Sequence, residues 1–167
     1  QYDLENPRFW KFFKFLRICL VNEFDYLASI KHWYKRPNYK DNCPRKLVRI
    51  VGLPFRRFFT ANFFTFIESK LLPRSDIFSK LLSNYKPSLI ITATPGFDSW
   101  EAEIILLSKR ACIPTVAINF SWDNLTMNSK HIRKTDYLVA WNGIMKKEAE
   151  DIHKYIPEKI WVSGVPR

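Results

Sequence analysis

A chain of 167 residues, 47% hydrophobic and 16% aromatic, carries enough apolar surface to close a core, which excludes a disordered or low-complexity polymer. Its 27 Lys and Arg against 16 Asp and Glu leave a net charge of +11, and its three cysteines stand without CxxC or Cys/His spacing, excluding a disulfide framework and a zinc site. The longest apolar-rich stretch, Phe58 to Ile67, is far short of the ~20 residues that span a bilayer, so no transmembrane helix is expected.

The excess charge is uneven. Residues 1–83 hold 16 basic and 7 acidic side chains (net +9), and residues 84–167 hold 11 and 9 (net +2). The first half also holds 18 of the 27 aromatics, interleaved with cations in Arg8-Phe-Trp-Lys-Phe-Phe-Lys-Phe-Leu-Arg17 and Phe55-Arg-Arg-Phe-Phe59. At helical spacing Phe9, Phe12, Phe13, Leu16 and Leu20 share one face and Arg8, Lys11, Lys14 and Arg17 the other, which predicts a cationic amphipathic helix. Further helices are expected from Asn22 to Trp33, from Arg57 to Leu72 and, capped by Ser75, up to Tyr85, with a basic loop over Lys35 to Arg45. Gln1 in place of Met, and an end at Arg167 directly after an expected strand, point to a piece of a longer chain.

From Lys86 the pattern turns to short β-branched runs alternating with helical periods. Strands are expected at Leu89 to Thr92, Thr115 to Asn119, Tyr137 to Trp141 and Ile160 to Val162. Asp98-Ser-Trp-Glu101 matches a capping box opening a helix to Arg110, with Trp100, Ile104 and Leu107 on one face. Asn142 caps another, whose buried stripe is Met145, Ala149 and Ile152. The fold class is therefore α/β: residues 86–167 form a Rossmann-like parallel sheet with flanking helices on both faces, preceded over residues 1–85 by a helical basic and aromatic segment, both within one domain.

Ligands of such sheets bind beyond the carboxyl ends of the strands. The loop from Phe120 to Arg133 is the richest there: Ser121, Trp122, Asp123, Asn124 and Thr126 put a hydroxyl, an indole, a carboxylate and an amide side by side, and Lys130 and Arg133 follow as partners for an anionic group. A solvated loop built on an Asx-turn is the plain alternative. Asp98 is a helix cap as well as a candidate contact, His131 and His153 read as surface residues, and no glycine-rich phosphate cradle or metal-ligand spacing is present, so neither cofactor nor metal is expected.

Lys86-Pro-Ser-Leu-Ile-Ile91, Ile113-Pro-Thr-Val-Ala117, Ser121-Trp-Asp-Asn-Leu-Thr126, Asp136-Tyr-Leu-Val-Ala-Trp-Asn142, Lys147-Glu-Ala149 and Val162-Ser-Gly-Val165 together resemble GT-B glycosyltransferase-like proteins of bacterial surface-polysaccharide synthesis, related to CDP-glycerol glycerophosphotransferases and UDP-N-acetylglucosamine 2-epimerases. In the first half only Phe24-Asp-Tyr-Leu27 shares the likeness, and Met127-Asn-Ser-Lys130 lacks the family's Lys-Gly step. The resemblance implies the N-terminal, acceptor-holding domain of a two-domain enzyme that transfers a sugar or polyol phosphate from a nucleotide-activated donor, itself bound mainly by a C-terminal domain, to a glycan or lipid-linked acceptor. It implies Asp123 as the carboxylate that orients or deprotonates the acceptor hydroxyl, with Ser121, Trp122, Asn124, Thr126, Lys130, Arg133 and Asp98 as substrate contacts. A cytoplasmic enzyme, peripheral at the inner face of an anionic membrane and inactive as this piece alone, is the corresponding expectation. The alternative is a basic module binding a membrane or nucleic acid without catalysis. No RRM, KH, zinc-finger or helix-turn-helix pattern supports nucleic acid as a partner.

Overall fold

The computed structural model describes residues 16, 20, 21, 54, 58–71, 76–96, 99–126, 130, 131 and 133–165. Leu16 and Leu20 are helical and half-buried, and Val21 is buried. The other positions of the amphipathic helix expected over 9–20, the helix over 22–33 and the basic loop over 35–45 lie outside the described residues. The chain divides into two units, one of residues 1–67 and 127–129 and the other of residues 68–126 and 130–167, with the boundary at 67/68 falling inside a helix.

In the first unit, Thr60 sets where helix α1 (Ala61–Leu71) begins, because its hydroxyl accepts from the Phe63 amide at 3.2 Å and its carbonyl from the Phe64 amide at 3.3 Å. The rings of Phe59, Phe63 and Phe64 pack at centroid distances of 5.4 to 5.9 Å.

The second unit holds helix α2 (Asp76–Tyr85) and then a four-stranded sheet with its crossover helices: β1 (Ile90–Thr92), α3 (Ser99–Arg110), β2 (Thr115–Ile118), β3 (Tyr137–Ala140), α4 (Gly143–His153) and β4 (Ile160–Val162). All pairings are parallel, the strand order is β1-β2-β3-β4, and the register sets Ile91 beside Val116, Ala117 beside Leu138, and Val139 beside Trp161. The expected strands are confirmed to within one residue at each end.

Side-chain alternation sorts the sheet into two faces. Thr92, Thr115, Ala117, Leu138, Ala140 and Ile160 are buried, with α3 against β1 and β2 and α4 against β3 and β4. Ile91, Ile118 and Trp161 on the opposite face are 60%, 39% and 50% exposed. Cover on both faces is the sequence-based expectation; among the described residues only one face is covered. A right-handed crossover carries its helix to a fixed side of the sheet, and strands added always in the same direction bring every crossover helix to that side.

The core of this unit joins Ala117, Leu125, Leu138, Ala140, Met145, Ala149, Tyr155 and Ile160. Asn142 caps α4 as expected, its side chain accepting from the Met145 amide at 2.9 Å. The buried face of α3 agrees with expectation at Ile104 and differs at Trp100, which is 45% exposed; Leu107 is half-buried, and Glu101, Ala102, Glu103, Ile105 and Ser108 are buried as well. Glu101, whose carboxylate accepts from the Thr94 amide and hydroxyl, ties the loop after β1 to the helix. Lys134 secures the other end of α4. Its ammonium donates to the carbonyls of His153 and Lys154 and lies 4.9 Å from the centroid of the Tyr155 ring, and burial followed by repulsion from Lys130, Lys109 and Lys159 lowers its pKa.

Tyr155 supplies an alkaline signature. The Thr135 hydroxyl donates to the Tyr137 carbonyl at 2.8 Å, so the Tyr155 hydroxyl, 2.9 Å away, donates to Thr135, and burial pushes its pKa well above the usual phenol range. A folded-state pKa above the unfolded one gives stability that is present below the unfolded value, near pH 10, and is lost as pH rises past it. Tyr155→Phe is expected to cost about 1 kcal/mol at neutral pH, the worth of one hydrogen bond, and to flatten the alkaline decline in urea unfolding midpoint. An equally steep decline in the variant would assign it to other groups.

Candidate functional site

The segment after β2 runs over the carboxyl end of the sheet as successive turns, and its main chain is fixed from several sides. Asn119 continues the ladder, its amide donating to the Val139 carbonyl at 3.2 Å, while its own carbonyl accepts from the Trp141 indole at 2.7 Å. Its side chain is buried, with Oδ1 accepting from Asn124 Nδ2 at 3.2 Å; Nδ2 of Asn119 meets no acceptor among the described residues. Asn124 closes a turn onto the Ser121 carbonyl, and Thr126 donates to the Asp123 carbonyl from both its amide, 3.0 Å, and its hydroxyl, 3.2 Å. Leu125 sits at the middle of this polar loop and is fully buried in the core.

Two histidines brace the loop from beneath. His131 and His153 are 7% and 1% exposed, their rings stacked at 3.8 Å between centroids with planes 20° apart. His131 Nε2 lies 3.2 Å from the Asn124 carbonyl, His153 Nε2 lies 2.7 Å from the Leu125 carbonyl, and the His131 amide donates to His153 Nδ1 at 3.3 Å. The expectation of surface histidines is corrected: carbonyls of the loop replace the water that a histidine surrounded by lysines would meet. A signal was present, since His153 continues the four-residue step from Met145 to Ala149 along the buried stripe of α4.

The candidate residues separate accordingly. Ser121 and Asp123 are brought together, the hydroxyl donating to Asp123 Oδ1, and both are partly exposed. Asn124 is buried and Thr126 is engaged in the turn, so each shapes the loop. Trp122 is 69% exposed. Lys130 and Arg133 are half-buried in the strand-free approach to β3, and the Arg133 carbonyl abuts Gly96 in the loop after β1. Asp98 and the segment 127–129 lie outside the described residues.

A cavity of about 470 Å³ opens beside this loop at the ends of β1 and β2, walled by Ile91, Ala93, Ile118, Phe120, Trp141 and Val165. Among the described residues no charged side chain lines it, so Asp123, Lys130 and Arg133 stand apart from it. Nor do any three His, Cys, Asp or Glu side chains among the described residues gather as a metal-ligand group, and no helix there is long and apolar enough to cross a membrane.

The arrangement is a carboxylate with one oxygen held by a neighbouring hydroxyl, carried on a braced loop at the carboxyl end of a parallel sheet. Such a group can accept a proton from, or orient, a hydroxyl brought to it. Comparison with family models, curated proteins and solved structures returned no match.

Proposed function

We propose that this chain forms the acceptor side of the cleft of a glycosyltransferase-like enzyme, which moves a sugar or polyol phosphate from a nucleotide-activated donor to a cell-surface glycan precursor. The observation that supports this reading best is the Ser121–Asp123 pair, held partly exposed on a loop whose main chain is braced by Leu125 and two histidines. An acceptor hydroxyl is a weak nucleophile until a base takes its proton, and the bond from Ser121 leaves the second carboxylate oxygen of Asp123 for that task. The donor's diphosphate is assigned to a partner domain, with Lys130 and Arg133 meeting an anionic acceptor group.

In the enzyme containing this chain, Asp123→Asn is expected to lower kcat by roughly 10²–10⁴-fold, the usual contribution of a positioned base, while KM for the donor changes little. Steady-state turnover with nucleotide-activated sugars and polyols on a glycan acceptor measures it. Unchanged kcat would remove Asp123 from the chemistry.

A second reading, a peripheral contact with anionic membrane, draws on the net charge of +9 over residues 1–83 and on the exposure of Phe58, Phe63 and Phe66 at and near α1. Flotation with vesicles containing anionic lipid is expected to carry the protein upward at low salt and to release it at high salt. Flotation that ignores lipid charge contradicts this reading.

A further inference from the structure

We propose that the stacked pair His131–His153 is a proton-operated latch on the loop that carries Asp123: neutral rings hold the loop, and protonation of the pair releases it. The hydrogen positions follow from the partners. The carbonyls of Asn124 and Leu125 can only accept, so Nε2 of each histidine is a donor. The His131 amide can only donate, so His153 Nδ1 carries a lone pair. A ring with hydrogen on Nε2 and a lone pair on Nδ1 is the neutral imidazole.

His153 can gain a proton only at Nδ1, where it would face the His131 amide donor and end that bond. With the two rings 3.8 Å apart, charge on one opposes charge on the other, so a doubly protonated stack separates. The charged groups on the elements that carry the pair and its loop are Asp123 on the loop, Lys130, Arg133, Lys134 and Asp136 before β3, Lys146, Lys147, Glu148, Glu150 and Asp151 on α4, and Lys154 after it. Lys134, bonded to the carbonyls of His153 and Lys154, sets its positive charge on the side of His153. Protonation at Nδ1 leaves each Nε2–H donating to its carbonyl, so release comes from the repulsion: when the doubly charged stack parts, the donors leave the two carbonyls between Asp123 and Thr126 and the segment that presents the carboxylate is freed. The latch is a property of the chain itself and can be read without any substrate.

The test is nitrogen-detected spectroscopy of the imidazoles, together with the amide signals of Asn124, Leu125 and His131, as pH is lowered from about 8 to about 5, the interval in which imidazole titrates. At the upper end both rings are expected in the Nε2–H form. On acidification His153 Nδ1 takes a proton, the Asn124 and Leu125 amides shift with the same midpoint, and exchange protection of the His131 amide falls about tenfold, as the loss of one hydrogen bond gives. His153→Gln, which stays uncharged, is expected to remove the loop's response. Rings that titrate while the loop amides stay still, rings that remain neutral throughout, or an undiminished loop response in His153→Gln would each overturn the latch. Should His153→Gln fail to fold, coincidence or separation of the midpoints in the unsubstituted chain decides.

Discussion

Leu125→Ala is expected to destabilise the chain by about 2–5 kcal/mol, the range for removing a fully enclosed leucine side chain. Leu125 has 0% exposure and packs into the cluster of Leu138, Met145, Tyr155 and Ile160, although its neighbours in the chain are Asn124 and Thr126. Truncation leaves a void that strand residues, hydrogen-bonded on both sides, can relax into only partly. The side chain is the apolar anchor of an otherwise polar loop, and the Leu125 carbonyl is the one that His153 holds. The substitution should therefore also shift the emission of exposed Trp122 under native conditions. Urea unfolding followed by circular dichroism measures the first effect; a loss under about 1 kcal/mol, below the range for an enclosed leucine, would mean that the loop is not seated in the core as described.

Gly96→Ala should be about as damaging, by a different route. Gly96 has φ +95°, where a Cβ strains the main chain by about 1–2 kcal/mol. That Cβ would also stand 1.9 Å from the Arg133 carbonyl oxygen and 3.2 Å from Ile105 Cδ1. A main-chain oxygen cannot swing aside as a flexible side chain can, so overpacking adds about 1–3 kcal/mol and the total reaches about 2–5 kcal/mol. Gly143, with nothing within 4 Å of where an added methyl would stand and an exposed place at the start of α4, is the internal control. Gly143→Ala is expected to raise stability by about 0.4–1 kcal/mol through the unfolded chain. Paired thermal unfolding of the two variants should show opposite signs; a shared sign contradicts the packing around Gly96.

These contrasts show which parts of the structure are legible from local chemistry. The four strands and the Asn142 cap depend on residues within a few positions of each other, so β-branched runs and one side-chain oxygen specify them. The parallel α/β class follows from their alternation. The inward turn of Glu101 was hidden because Thr94, which it binds, lies on the far side of a loop. The histidine pair was hidden for a similar reason: His131 and His153 are 22 residues apart, and the Leu125 carbonyl that His153 meets is 28 away. Ser121 and Asp123 were recognisable as a polar pair, but whether their loop was braced or solvated depended on the burial of Leu125, which spacing among polar residues does not disclose.

Strand order that follows chain order has a consequence for how this sheet is made. Each strand's hydrogen-bonded predecessor is already behind it in the chain, so no closure has to wait for a distant segment. Pairing can advance in the direction of synthesis, with β1 templating β2 and each new edge receiving the next arrival. Among the described residues β1 and β4 are each held along one side only, which makes Ile90–Thr92 and Ile160–Val162 the places where stepwise unzipping would start.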